Sequence, residues 1–182
     1  MTLARQRFTA PQRLLHWLMA FCILAMLFIG VGMVSTVAPR YLTLVQIHKP
    51  LGMAILVLAL IRLALRLRYG APALPASMPE PMKLAAHLSH LVFYALMIIM
   101  PLLGWGMLSA ASYPVVLFSG VHLPSILPLN DSLHTVLWDA HHYLAFVFFA
   151  LILLHVAAAL LHALVRRDGV FETMGPITTL PD

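Results

Sequence analysis

From Leu14 to Val34 the chain carries no charged residue. Three more apolar stretches follow, at about Pro50 to Leu65, Leu88 to Leu108 and Val136 to Val165. A helix needs about 20 mostly apolar residues to cross the hydrocarbon core of a bilayer, and these runs are close to that length or beyond it. Inside lipid every backbone N–H and C=O needs a partner within the protein, so only helices and closed barrels span a membrane. Barrel strands alternate apolar and polar side chains, and these runs do not alternate. The expected fold is all-α: an integral membrane four-helix bundle, one domain over residues 1–182, with spans at about 14–34, 50–65, 88–108 and 136–165. Composition agrees. The chain is 62% hydrophobic and 9% charged, against roughly 25% charged in soluble domains, and its mean hydropathy is +0.95.

Breakers bound the first three spans: Pro39, the segment APALPASMPEP from Ala71 to Pro81, and Pro114. Pro50 is expected to open the second span, where its missing N–H costs little. Pro101 is expected to kink the third. Cys22 lies in an apolar run and has no second cysteine. Neither an intrachain disulfide nor a Cys-x-x-Cys site can form, and the residue is read as core filler.

The basic residues divide unevenly between the two sides. Arg5, Arg7, Arg13, Arg62, Arg66, Arg68, Lys83, Arg166 and Arg167 fall on one side, and only Arg40 and Lys49 on the other, nine plus two making the full eleven. The positive-inside rule then puts both termini and the loop between spans two and three in the cytoplasm. The net charge of +5 is accordingly read as topology, with lipid as the partner and no nucleic acid. A cleaved signal peptide is not expected, because the first run exceeds an h-region and no A-x-A-like site follows it. The 109–134 loop carries no Lys or Arg. Its segment PVVLFSGVHLPSIL is apolar and either lies on the bilayer surface or packs as an ordinary loop.

Ten histidines stand in this apolar setting. Polar groups inside lipid are expensive and usually functional. Each helical residue turns about 100° and rises about 1.5 Å, so His141 and His155 lie about 40° apart on one face and about 21 Å apart in depth. His162 continues that stripe, and His142 points about 100° away from it. His16 begins span one at the cytoplasmic depth of His155. His48 begins span two at the outer depth of His141. The expected pairs are His16 with His155 and His48 with His141, two sites stacked across the membrane.

Neutral imidazole is a strong axial ligand for haem iron, and the core of a helix bundle is a natural haem site. Zinc would want further N, S or carboxylate ligands close by. The acidic residues Glu80, Asp131, Asp139, Asp168, Glu172 and Asp182 all fall in loops or at helix ends. A proton-coupled transporter would usually carry an intramembrane carboxylate. The arrangement fits two haem b groups, each held by two histidines. No catalytic residue is identified.

At these residues the chain resembles the bacterial four-helix di-haem cytochromes b of the b561 type. The resemblance is carried by RLLHWL (13–18), IHKPLGM (47–53), IRLALRLRY (61–69), AAHLSHLVFYAL (85–96) and the His141, His155, His162 pattern. It covers nearly the whole chain. It implies the same ligand pairs, a bacterial inner (cytoplasmic) membrane, and exchange of electrons with the quinone pool. One branch of the family takes an electron from superoxide at the outer face and reduces ubiquinone. Another branch comprises membrane subunits of hydrogenases and formate dehydrogenases. The short chain favours the stand-alone branch. The 109–134 loop departs from the superoxide-oxidising pattern, since an anionic substrate wants cations nearby and only Arg40 and Lys49 are on offer there.

Further roles follow from position. Arg62 lies fourteen residues after His48, on the same face at the opposite depth, and is expected near the inner haem or its propionates. His162, with Trp17 beside His16, is expected to bind quinone near the cytoplasmic surface. His87 and His90 share a face of span three and are expected to line the inner site. His122 and His134 are read as solvated loop residues.

Three readings stay open. One is a quinone-linked oxidoreductase acting on a small outer donor. Another is a cytochrome b anchor that relays electrons from a redox partner protein. The third is a histidine-lined metal transporter.

Overall fold

The computed structural model describes residues 7–117 and 120–175. Arg5 and Asp182 of the charge reading lie outside those residues. Four helices cross in sequence: α1 (Ala10–Val34), α2 (Arg40–Tyr69), α3 (Glu80–Ala110) and α4 (Asp131–Leu160). A π-helical segment, Leu161–Arg166, continues α4. All four are long and apolar enough to span a membrane. Between α3 and α4 a small hairpin pairs β1 (Val115–Val116) antiparallel with β2 (His122–Leu123).

Every helix runs past its apolar stretch. The second begins at Arg40, so Pro50 lies inside it rather than at its start. His48 and His141 likewise stand well within their helices instead of opening them. The bilayer sets the apolar length only, and polar turns at either end stay helical where caps support them. Thr9 and Gln12 form a reciprocal capping box at the start of α1, which satisfies two N–H groups with no intrahelical partner. Gln12 also donates from Nε2 to the carbonyls of Leu65 (3.4 Å) and Gly70 (3.1 Å), tying the start of α1 to the end of α2. Asn130 caps α4 by accepting the Leu133 N–H at 2.9 Å.

α1 packs along α2, α2 along α3, and α3 along α4. Neither α1 nor α2 packs closely along α4. A small core of Leu15, Met19, Ala59, Leu96, Met97 and Phe148 draws on all four helices. Much of the apolar surface beyond it faces outward. Phe28 is 78% exposed and Tyr143 72%, which suits a helix whose solvent is lipid.

Both described ends of the chain meet on one side of the bundle. The Phe8 N–H donates to the Thr173 carbonyl at 3.1 Å. On the other side the described parts of the connection between α3 and α4 fold back on α3. Trp105 Nε1 donates to the Pro124 carbonyl at 2.9 Å, and Ser109 Oγ accepts the Ile126 N–H at 3.2 Å.

Candidate functional site

Two histidine pairs lie inside the bundle, each from helices distant in sequence. His16 of α1 and His155 of α4 have ring centres 6.4 Å apart. His48 of α2 and His141 of α4 have ring centres 6.1 Å apart. Each pair therefore bridges two helices that do not pack closely along their backbones, α1 with α4 and α2 with α4.

The separations can be tested against a shared metal. About 2 Å for each metal–imidazole bond and roughly 1 Å more to each ring centre would set two axial rings ~6 Å apart. Both pairs meet that spacing. The outer pair has a second feature. Nδ1 of His48 and Nδ1 of His141 are buried without a hydrogen-bond partner. The Met100 carbonyl approaches His141 but falls short of hydrogen-bond geometry. Buried polar atoms left unpaired are costly, so these rings stand in a setting shaped for something besides apolar packing. Gly104 of α3 borders the same rings, and a Cβ there would lie 3.5 Å from His141 Cε1. Among the described residues no three His, Cys, Asp or Glu side chains gather in a way that could hold a bare metal ion. The fold makes pairs, not cages.

Other residues surround the inner pair. Arg62 donates from Nη1 to Nδ1 of His16 at 2.8 Å. Phe93 lies 5.1 Å from the His155 ring, edge to face. His90 of α3 is 6.2 Å from His155, and by ring distance alone it competes with His16. His87 has no described contact of this kind. His142 turns away from the outer pair. Its ring lies 4.7 Å from that of Trp138, and its Nδ1 is 3.2 Å from the Trp138 carbonyl. His134 is not a solvated loop residue: it lies in the first turn of α4, with Nδ1 2.8 Å from the Met107 carbonyl. His122 sits exposed on β2.

At the end where the termini meet, His162 is buried, with 8% of its surface exposed. It stands in the π-helical segment, so the α-helical count from His155 stops at Leu160. Its Nδ1 lies 2.7 and 3.0 Å from the two carboxylate oxygens of Asp168. Trp17 contacts the His16 ring at 5.5 Å, and its Nε1 donates to the Met174 carbonyl at 3.0 Å. Sequence reading missed Asp168. Six residues is no repeat of an α-helix, and no periodic signal joins it to His162.

Four membrane-crossing helices with histidines paired at two depths define a class of multi-pass helical membrane proteins built around buried imidazoles. A family model described as prokaryotic cytochrome b561 matches residues 7–176, and the chain belongs to that family. It is 36% identical over 132 residues to a probable superoxide oxidase CybB of Yersinia pestis, covering 72% of this chain and 74% of that one. It is 26% identical over 178 residues to cytochrome b561 homolog 1 of Escherichia coli (strain K12), covering 93% and 97%. Homolog 2 of the same organism is 25% identical over 171 residues, covering 93% and 91%. The chain is thus a multi-pass membrane electron-transfer protein of the b-type cytochromes, with b-type haem as its cofactor.

Proposed function

We propose that the protein holds two haem b groups, the inner by His16 and His155 and the outer by His48 and His141. We further propose that it passes electrons from a small donor at the outer face to ubiquinone at the inner one. The observation that carries this reading is the pair of ring separations, 6.4 and 6.1 Å, each across helices that do not pack closely along their backbones. Bound b-type haem supplies an iron that carries one electron at a time.

The residues divide the work by depth. His155 and His141 keep one face of α4 turned toward both sites. Arg62 brings a fixed positive charge to the inner site, where added negative charge is stabilised. It can only donate, so Nδ1 of His16 accepts from it. If neutral His16 ligates through Nε2, Nδ1 holds the ring proton and Arg62 turns to another acceptor. Haem propionates, as carboxylates, match a guanidinium fork. At the end shared by the termini, His162 faces the proposed quinone site with Nε2 and donates to a quinone oxygen when that nitrogen carries a proton, while the Trp17 N–H is held by the Met174 carbonyl and its ring borders His16.

That end is proposed to be cytoplasmic, in a bacterial inner membrane, because it carries the Arg-rich segments. Superoxide is proposed as the donor, supported by the name of the Yersinia pestis relative. Two superoxide anions would each give one electron and leave as O2, while one ubiquinone takes two electrons and two cytoplasmic protons to become ubiquinol. Arg40 and Lys49 are the outer-face cations. Arg40 Nε donates to Thr36 Oγ1 at 3.1 Å, and Lys49 Nζ to the Pro114 carbonyl at 3.2 Å.

The test is a reduced-minus-oxidised spectrum of the purified protein with a pyridine haemochrome assay, followed by anaerobic mixing with superoxide and ubiquinone. Two b haems per chain and superoxide-dependent ubiquinol formation are expected. A single haem would reject the paired assignment. Two haems without a response to superoxide would reject the donor.

A further inference from the structure

We propose that Asp168 and His162 act as a carboxylate–imidazole dyad that hands a proton to ubiquinone as it is reduced. The proposal rests on the quinone reading above and adds to it the group that orients and recharges His162.

The local fold brings the dyad together. α4 ends in a π-helical segment, Leu161–Arg166, and Arg167 then turns with φ 50°. Such a conformation is rare for a residue with a side chain and is held where the surroundings demand it. π-turns recur at functional sites. Here the two together reverse the chain so that Asp168 faces back onto His162. Side-chain exposure is 10% for His162 and 17% for Asp168. Asp168 Oδ1 also accepts the Val170 N–H at 3.3 Å.

The hydrogen-bond chemistry then sets the proton. A carboxylate only accepts, so His162 Nδ1 donates and carries a hydrogen. In the neutral ring Nε2 is left as the basic nitrogen, and it has no hydrogen-bond partner among the described residues. A carboxylate on Nδ1 fixes the tautomer and the ring orientation, as it does in other histidine–carboxylate pairs. Burial works to raise the Asp168 carboxyl, but the hydrogen bonds from His162 and Val170 outweigh it and hold it below the ordinary carboxylate range. Asp168 therefore stays anionic at neutral pH and accepts from the His162 Nδ1–H.

Reduction of ubiquinone to ubiquinol takes two electrons and two protons. The electrons come singly from the outer donor, superoxide, each leaving as O2. As one C=O becomes C–O–H, the Nε2–H bond of the imidazolium breaks and the O–H bond forms. Neutral His162 then regains a proton from cytoplasmic water, and the second quinone proton comes from the same water. Beside the dyad in the chain stand Arg166, Arg167 and Glu172, and Arg7, Arg13, Arg62, Arg66, Arg68, Glu80 and Lys83 lie on the same side of the bundle. Arg7 Nη2 donates to the Gly175 carbonyl at 3.4 Å, and Oε2 of Glu172 is buried without a hydrogen-bond partner.

The experiment compares Asp168→Asn, Asp168→Glu and His162→Asn in the haem-loaded protein. It measures pre-steady-state reduction of a short-chain ubiquinone against pH, and histidine tautomers by NMR of 15N-labelled protein. The dyad expects Asp168→Asn to slow quinone reduction by about tenfold or more and to move its pH profile, with Asp168→Glu restoring most of the rate. It also expects Asp168→Asn to shift the His162 signal away from the Nδ1–H form, with haem spectra unchanged. A slow His162→Asn beside an Asp168→Asn at full rate and unaltered tautomer would overturn the dyad and leave the quinone site standing. Full rates in both would overturn the quinone reading, and the dyad with it. Should Asp168→Asn not fold, Asp168→Ser and the 15N tautomer of the unaltered protein decide the same question: a predominantly Nε2–H ring would overturn the dyad.

Discussion

Arg62 of α2 donates from Nη1 to Nδ1 of His16 on α1 at 2.8 Å. The contact joins residues far apart in sequence and sets a guanidinium against the inner histidine pair. A nearby cation stabilises an added electron, so Arg62→Leu is expected to lower the inner haem potential. One charge at an effective dielectric of ~20 acts with an energy on the order of 1–2 kcal/mol, which is some tens of millivolts for a one-electron couple. Spectroelectrochemical titration measures it. An unchanged inner-haem potential would separate Arg62 from that haem.

His90 and His16 stand at nearly equal distances from His155, 6.2 and 6.4 Å. If His16 is the ligand, His16→Ala loses one haem per chain and His90→Ala keeps both. Pyridine haemochrome counts on the two variants decide it, and the reverse pattern would hand the ligand role to His90.

His142 is engaged with Trp138 at 4.7 Å, while His141 meets His48. His141→Ala is therefore expected to halve the haem content, whereas His142→Ala leaves it intact. A loss of haem in His142→Ala alone would reverse the outer assignment.

A Cβ on Gly104 would meet His141 Cε1 at 3.5 Å, an ordinary contact. Gly104→Ala should retain both haems. Gly104→Leu adds bulk that the His141 ring must yield to, at a typical overpacking cost of about 1–3 kcal/mol. Selective loss of the outer haem signal is the expected outcome, and retention of both in Gly104→Leu would show that α3 leaves room there.

Gln12 serves the α1 capping box and bonds the carbonyls of Leu65 and Gly70. Gln12→Ala removes these together, at a net cost of about 0.5–1.5 kcal/mol for each hydrogen bond lost. Thermal unfolding in detergent should fall by several degrees with haem content unchanged at low temperature. An unaltered midpoint would mean that water replaces the side chain there.

Much of this was legible in the residues alone. The uncharged run from Leu14 to Val34 and its three successors required membrane helices, because lipid acts as a solvent on each residue by its own chemistry. The fourteen-residue step from His141 to His155 put both rings on one face, because helical periodicity is local and regular. The chain's place among the b561 cytochromes was visible from the same histidine motifs. The helix ends were not visible: α2 starts at Arg40 and carries Pro50 in its interior, since turns beyond the apolar core depend on caps and on contacts such as that of Gln12 with Gly70. Spacing put Arg62 and His90 near the inner site, but it could not tell that His90 stands as close to His155 as His16 does, that Arg62 bonds His16, or that Trp17 donates to Met174. Those meetings depend on how the helices are rotated about one another. The approach of Asp168 to His162 depends on a π-turn followed by a left-handed residue. Composition and period belong to one segment at a time, whereas these contacts arise only where segments far apart in the chain pack together.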